Sequence, residues 1–366
     1  LPRLRLLADD LTGALDSAAA FAPAFGKVRV VWSAADVAGE APALALDTGT
    51  RELPAEAAAA RLAALAPFLA GGGDTTRFFK VDSLLRGHAG RELLALMAKN
   101  PFRYVIMAPA IPFQRRITRH GRQMIASGEG WVATGEDIAA TFRAAGVPLA
   151  LCKPGMPVPA GISLWDAESD ADLDTIVAHA PAGALWVGAA GLAGALARQA
   201  GAQTAHAPAP APALPAPLLG LVGTDHRVMQ AQLIEAGPMH RTIGADAESA
   251  AADIRHCLAM HGAAFATCDL PPVPDRRAME AEIASRFAAL TGRLRPASLF
   301  VSGGETLRHL ATRLAATAID CTGQFEPGAP ISVLVGGPWD GMPLISKSGA
   351  FGTADFLRRL VGGLAA

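Results

Sequence analysis

The chain has 366 residues, 51% of them hydrophobic, and its charges nearly cancel at −1. That length suits two domains better than one core, and a balanced charge with no long run of one sign argues against nucleic-acid or membrane-surface partners. Four scattered cysteines (Cys152, Cys257, Cys268, Cys321) show no CxxC or Cys/His ligand spacing, which argues against a structural zinc or a disulfide framework and fits a cytoplasmic address.

No apolar run reaches membrane-spanning length. The chain starts on a strand pattern and without methionine, so no leader is expected and a short segment is expected to precede Leu1.

The first expected strand, Leu4–Ala8, runs into Asp9-Asp10-Leu11-Thr12-Gly13-Ala14, and a helical pattern follows over Ala14–Phe25. In an α/β protein such strand ends open on the crevice where ligands bind. Two carboxylates at one strand tip are costly unless they meet a cation, a hydroxyl or each other. Helix capping by Asp10 or Thr12 is the simpler alternative.

Strands over Val28–Trp32 and Ala43–Leu46 come next. The loop Asp47-Thr48-Gly49-Thr50-Arg51 reads by itself as an ordinary turn, and gains weight from its expected place on the same sheet edge. A helix over Pro54–Leu69 leads to a strand over Thr76–Val81 and then to Lys80-Val81-Asp82-Ser83-Leu84-Leu85-Arg86-Gly87, before a helix at Ala89–Ala98. Arg86 has the forked donor geometry that grips a carboxylate or phosphate. Asp82 and Ser83 suit sugar-like hydroxyls. A surface ion-pair cluster with Ser83 as a helix cap is the alternative.

After a strand at Tyr104–Ala108 the segment Pro109–Gly121 is stiffened by two prolines and made basic by Arg115, Arg116, Arg119 and His120. It reads equally as a clamp for an acidic group or as a solvated loop, with His120 a minor candidate for a general base. Helices are expected over Ala171–Ala180 and Leu192–Ala200, with a strand at Ala184–Val187 between them. The turn Gly188–Gly194 lacks the strict GxGxxG of a dinucleotide loop and reads as close helix packing. This alternation predicts a mostly parallel sheet covered on both faces.

Ala205–Pro217 (AHAPAPAPALPAP) holds neither helix nor central strand and reads as a semi-rigid linker between residues 1–204 and 218–366. In the second half, strands are expected at Leu218–Val222, Gly262–Thr267, Ser298–Val301 and Ile331–Val335. Helices are expected at Arg227–Ala236, Arg276–Leu290, Thr306–Ala315 and Ala354–Leu360. Ser302-Gly303-Gly304-Glu305-Thr306 joins a strand to a helix, and glycines with a helix start favour bound phosphate. Lys347-Ser348-Gly349-Ala350-Phe351-Gly352 adds a lysine and small residues, in an order that is not a Walker A loop. Gly223-Thr224-Asp225-His226 is a third glycine-bearing strand end. The fold class is therefore α/β: two α/β domains with mostly parallel sheets flanked by helices.

Taken together these blocks resemble the four-carbon acid sugar kinase family, from Leu6 to Phe356. Asp9–Ala14 is similar to its opening signature, and Lys80–Gly87 to its K-x-D-S-x-x-R-G motif. Ala108-Pro109-Ala110-Ile111-Pro112, with Arg116 and Gly121, resembles its A-P-A-x-P segment. Ser302–Thr306 and Lys347–Gly352 resemble its two carboxy-terminal nucleotide motifs. The chain departs from the family where Thr224-Asp225-His226 replaces a Gly-Ser-x-Ser type segment, where Arg115 replaces a usual glycine, and where His120 stands for a common asparagine. It is also shorter than typical members.

The resemblance implies an N-terminal acid-sugar domain, a C-terminal ATP domain, and transfer of the γ-phosphoryl group of ATP to the terminal hydroxyl of a threonate, erythronate or oxo-tetronate. The expected mechanism is in-line transfer across a cleft between the domains, with magnesium on the phosphates. Arg86, with Lys80 and Arg116, is expected to hold the acid's carboxylate, and Asp82, Ser83 and Thr12 its hydroxyls. Asp10, or else Asp9, is expected to take the proton. Gly303, Gly304, Glu305 and Thr306 are expected to cradle ATP, with Thr224, His226, Lys347, Ser348 and Gly349 around it. Small-molecule partners are expected, a homo-oligomer is compatible, and no protein metal ligand is identified. The competing readings are a sugar-acid sensor that has lost ATP use and, from the Gly188–Gly194 turn, a nicotinamide oxidoreductase.

Overall fold

The computed structural model describes residues 3–33, 41–72, 74–201, 214–270 and 276–365. Two compact units divide it, Leu1–His206 and Ala207–Ala366. Most of the expected Pro/Ala linker, residues 205–213, lies outside the described residues. Among the described residues no helix is long and apolar enough to cross a membrane.

The first unit opens with β1 (Arg3–Ala8), α1 (Leu11–Phe25), β2 (Val28–Val31), β3 (Ala43–Asp47), α2 (Ala55–Leu65), β4 (Thr75–Lys80), α3 (Ala89–Lys99) and β5 (Tyr104–Ala108). It continues with β6 (Arg116–Arg119), β7 (Arg122–Ser127), β8 (Gly130–Ala133), α4 (Ile138–Ala144), β9 (Ala150–Cys152), β10 (Gly161–Trp165), α5 (Asp170–Ala178), β11 (Leu185–Gly188) and α6 (Ala190–Gln199). Its main sheet runs β2-β3-β1-β4-β11-β5-β10-β9 with every pairing parallel. Strands such as Ala43–Asp47 are buried along their whole length, as expected of a parallel sheet with both faces covered. From β1 the chain crosses to one side of the sheet, and from β3 it crosses back past β1 to β4. The carboxyl ends of β1 and β4 therefore flank a topological switch point, where open α/β sheets bind ligands.

The segment expected as a basic loop is largely regular. Strands β6, β7 and β8 form a separate antiparallel sheet, and Arg116 begins its first strand. Arg115 and His120 both adopt left-handed backbone, φ 55° and 53°. These are the two positions where glycine and asparagine were the residues expected from the family pattern, and both tolerate that region better than arginine or histidine do. Arg115→Gly is expected to raise stability by about 1 kcal/mol, read as a higher melting temperature, because the exposed Arg115 side chain makes one long hydrogen bond among the described residues, 3.5 Å to the Gly128 carbonyl.

The second unit comprises β12 (Leu218–Val222), α7 (Arg227–Ala236), β13 (His240–Ile243), α8 (Ala247–His261), β14 (Ala263–Cys268) and α9 (Arg276–Thr291). It continues through β15 (Ser298–Ser302), α10 (Gly304–Arg313), β16 (Ala318–Glu326), β17 (Ala329–Val335), β18 (Pro343–Lys347) and α11 (Phe356–Gly362). The strand order is β13-β14-β12-β15-β18-β17-β16, parallel through β18 and antiparallel beyond it. Phe265, Phe300 and Phe356 pack together in its core with Leu218 and Met229. The same logic recurs: β12 leads to one side, β14 returns past it to β15, and the switch point lies at the ends of β12 and β15. Lys347, expected in a glycine-rich loop, is the last residue of β18.

Candidate functional site

In the first unit the β1 tip carries Asp9 and Asp10, and the β4 end carries Lys80 and Asp82. Parallel pairing of β3 beside β1 brings the following loop, with Arg51, to the same place. Arg51 is the hub. Its Nε and Nη2 donate to the two oxygens of Asp9, each at 2.8 Å. Its Nη1 donates to Asp10 Oδ2, and Nη2 lies 3.7 Å from Asp82 Oδ1. The Asp9 carbonyl also accepts the Thr50 and Arg51 backbone N–H groups at 3.0 and 3.2 Å, so backbone and side chain fix the loop together. Burial pushes the Asp9 carboxyl up against the opposing pull of Arg51 and Lys80.

Asp10 plays two parts at once. It caps α1, accepting the Gly13 N–H at 2.8 Å on Oδ1, and it pairs with Arg51 through Oδ2. This cap starts α1 at Leu11 rather than at Ala14. Gly13 is needed for space: a Cβ there would sit 2.6 Å from Asp10 Oδ1 and 2.7 Å from Lys80 Nζ. Lys80 is buried and donates to the Val81 carbonyl at 2.8 Å. Thr12 is buried on the first turn.

Asp82 accepts Arg86 Nε at 2.9 Å and Nη2 at 2.7 Å, together with the Leu84 and Arg86 backbone N–H groups at 3.0 and 3.1 Å. Buried among these donors, it is held well below the usual carboxylate range by Arg86 and Arg51, against the upward push of burial. Arg86 is 61% exposed along its side chain. Ser83 does not cap α3, whose N-cap is His88. Instead its hydroxyl meets Arg116 Nη1 and its carbonyl accepts Gln123 Nε2 at 2.6 Å, so the small sheet braces this loop. His120 is exposed at the β6–β7 turn, its backbone N–H on Asp166; its bonding ties it to that turn and not to these groups.

Three residues of this cluster did not stand out in the sequence. Arg51 reads by itself as part of a turn and gains weight only from its expected place on the same sheet edge. Asp16 is the single charged residue of the fifteen-residue α1, a signal that was available. Glu92 is buried on α3, bonded to Thr50, and pushed up to about 7 by burial.

In the second unit the three glycine-bearing strand ends converge. The Gly223 N–H donates to the Ser302 carbonyl at 3.0 Å, and the Gly303 N–H to the Lys347 carbonyl at 3.2 Å. A Cβ on Gly223 would fall 1.9 Å from Thr306 Oγ1, and one on Gly349 would fall 2.5 Å from Thr224 Cγ2. Helix α10 begins at Gly304 with Gly303 (φ 113°) as its cap and no side-chain bond to its first turn. Its leading N–H groups are thus left for a ligand. Ser302, the last residue of β15 just before this turn, has an Oγ that is buried without a hydrogen-bond partner among the described residues. This donor set fits a phosphate.

Other expected contacts are differently employed. Lys347 is buried, donating to the Ser348 and Phe351 carbonyls at 3.1 and 2.8 Å and lying 5.0 Å over the Phe356 ring, so its ammonium holds the Ser348–Gly352 loop. Ser348 Oγ accepts the Ala350 N–H at 3.4 Å. His226 caps α7 through Nδ1 at 3.2 Å, and Thr224 Oγ1 accepts the His226 N–H at 3.3 Å. Glu305, on the first turn of α10, lies 3.7 Å from His309 Nε2. The Gly188–Gly194 turn is a packing turn, since Cβ atoms on Gly188 and Gly191 would meet the Ala108 and Ala110 carbonyls at 2.5 and 2.4 Å.

Residues 4–148 match the sugar-binding N-terminal domain model and residues 191–357 the nucleotide-binding C-terminal domain model. A D-threonate kinase of Bordetella bronchiseptica is 28% identical, with 98% of this chain and 96% of the relative covered. A D-threonate kinase of Cupriavidus necator is 29% identical, with 95% and 94% covered. A crystal structure from Salmonella typhimurium LT2 has the same fold, with a TM-score of 0.73 at 19% identity over 98% of each chain.

Proposed function

From the premise that the chain belongs to the four-carbon acid sugar kinase family, we propose that it transfers the γ-phosphoryl group of ATP to the terminal hydroxyl of a four-carbon sugar acid. D-threonate is the first acceptor to try, because the curated relatives bear that name. The observation that carries the reading is the uncapped start of α10 beside Gly223 and Ser302, a phosphate cradle in the half that matches a nucleotide-binding domain.

The first unit supplies what an acid sugar needs. Arg86 uses Nε and Nη2 on Asp82, which fixes its plane while most of the side chain stays open to a carboxylate. Lys80 and Arg116 add positive charge, and Ser83 and Thr12 offer hydroxyls. Asp9 and Asp10, locked on Arg51, form a rigid wall that orients the acceptor. Both Asp10 oxygens already have donors, so its part here is orientation. In the second unit the α10 N–H groups and Ser302 would bind phosphate oxygens. Magnesium would neutralise phosphate charge when bound with the nucleotide, and Glu305, on the first turn of α10, is a carboxylate that would hold it.

An ADP-release assay over three- to six-carbon sugar acids tests this. Turnover is expected with a four-carbon acid, and no turnover with any of them in the presence of ATP and magnesium would remove the reading. Arg86→Ala is expected to raise KM for the acid by about 10–150-fold, the worth of a lost charged hydrogen bond, while KM for ATP stays at the parent's value. An unchanged KM for the acid would take Arg86 out of the carboxylate site.

A further inference from the structure

Phosphoryl transfer to a hydroxyl needs a group to receive the hydroxyl proton, and the structure limits the choice. Asp9 is doubly bonded to Arg51, Asp10 has a donor on each oxygen, and Asp82 has four donors. The oxygens of these three carboxylates are already engaged by donors, which hold them in place as orienting and ion-pairing groups. Asp16 differs. It follows Thr12 by one helical turn, so the two lie on the same face of α1. Its Oδ1 is buried and has no hydrogen-bond partner among the described residues, yet the residue as a whole stays partly accessible.

We propose that Asp16 is the proton acceptor of the sugar-acid site, an inference that rests on the kinase reading. The attacking hydroxyl oxygen forms its bond to the γ-phosphorus, its proton passes to the Asp16 carboxylate, and the bond from the γ-phosphorus to the β–γ bridging oxygen breaks, ADP keeping the electron pair. The charged groups that act on Asp16 include Lys80 at the end of β4, Arg51 in the loop after β3, Arg116 at the start of β6, and Asp10 at the cap of its own helix. Burial, the largest influence, pushes its carboxyl up to about 7, where a general base works best at neutral pH. The base acts when ionised, so the parent's kcat should fall as pH drops below about 7.

The test compares the parent, Asp16→Asn, Asp16→Glu and Glu92→Gln by steady-state kinetics from acid to alkaline pH, with calorimetry for the sugar acid and for ADP with magnesium. Asp16→Asn is expected to lose about 10²–10⁴-fold in kcat, to bind both ligands as the parent does, and to show a residual rate without the acid-side fall. Asp16→Glu is expected to recover part of the rate. The fall is expected to persist in Glu92→Gln, which separates the two carboxyls that burial raises to the same range. Retained ligand binding shows that the variant is folded. A kcat within tenfold of the parent's, a fall that vanishes with Glu92 instead, or a loss confined to sugar-acid binding would each overturn the assignment. A parent that phosphorylates no sugar acid would overturn the kinase reading itself. A parent that does so while Asp16→Asn matches it overturns only this inference.

Discussion

Arg51→Ala is expected to cost about 3–5 kcal/mol of stability, the usual consequence of stripping a counterion from buried carboxylates, and to slow turnover sharply. Asp9 and Asp82 are 4% and 5% exposed along their side chains. Asp9 would lose both of its guanidinium bonds. Asp82 would keep Arg86, so the damage concentrates at the β1 tip. In a unit of this size the loss corresponds to a fall in melting temperature of roughly 6–20 °C. Turnover should drop by about 10² or more, because the two acceptor-orienting carboxylates lose the group that fixes them. Arg51→Lys keeps the charge but not the fork and should fall in between.

The pH dependence has a definite sign. Asp82 is held below its ordinary value, so its native-state stabilisation is present above the unfolded carboxylate range and lost as pH falls through the folded value. Arg51 contributes to that lowering. The part of the Arg51→Ala deficit carried by Asp82 should therefore be full at neutral pH and shrink only as pH falls below about 4. A melting temperature within about 2 °C of the parent's at neutral pH, with turnover intact, would remove Arg51 from the centre of the site.

Arg51 also shows where sequence reading stops. The strands are legible because parallel strands covered on both faces are short apolar runs, such as Leu6–Ala8 and Ala43–Leu46. The polar blocks after them are legible as strand-end loops. Which loops become neighbours depends on strand order, and nothing local in Thr48–Arg51 says that β3 pairs with β1. The same limit hid Glu92, an ordinary helical acid until α3 buries it behind Thr50. The small sheet was missed for a different reason. Arg116–Ala133 is polar, and its strands are partly exposed on one face, so it lacks the apolar signature of the main sheet. For Asp10 capping and ion pairing are not alternatives: one oxygen caps α1 and the other pairs with Arg51.

In the second unit, Gly223→Ala is expected to damage nucleotide binding more than any single change at a charged residue there. The added Cβ would lie 1.9 Å from Thr306 Oγ1, 2.9 Å from its Cβ and 3.0 Å from its Cγ2. No rotation of a β-branched side chain relieves contacts with all three atoms. Thr306 is buried on the first turn of α10, so it can yield only by moving the helix start away from β12. Overpacking of this kind costs about 1–3 kcal/mol, and here the strain falls on the N–H groups that would receive phosphate. Affinity for ADP with magnesium, measured by calorimetry, should drop at least about tenfold, since a positioning error there weakens several backbone bonds at once. Adding Thr306→Ala removes two of the three clashing atoms and should restore part of both stability and affinity, so the two substitutions should be non-additive. Full affinity in Gly223→Ala alone would place the nucleotide away from this turn.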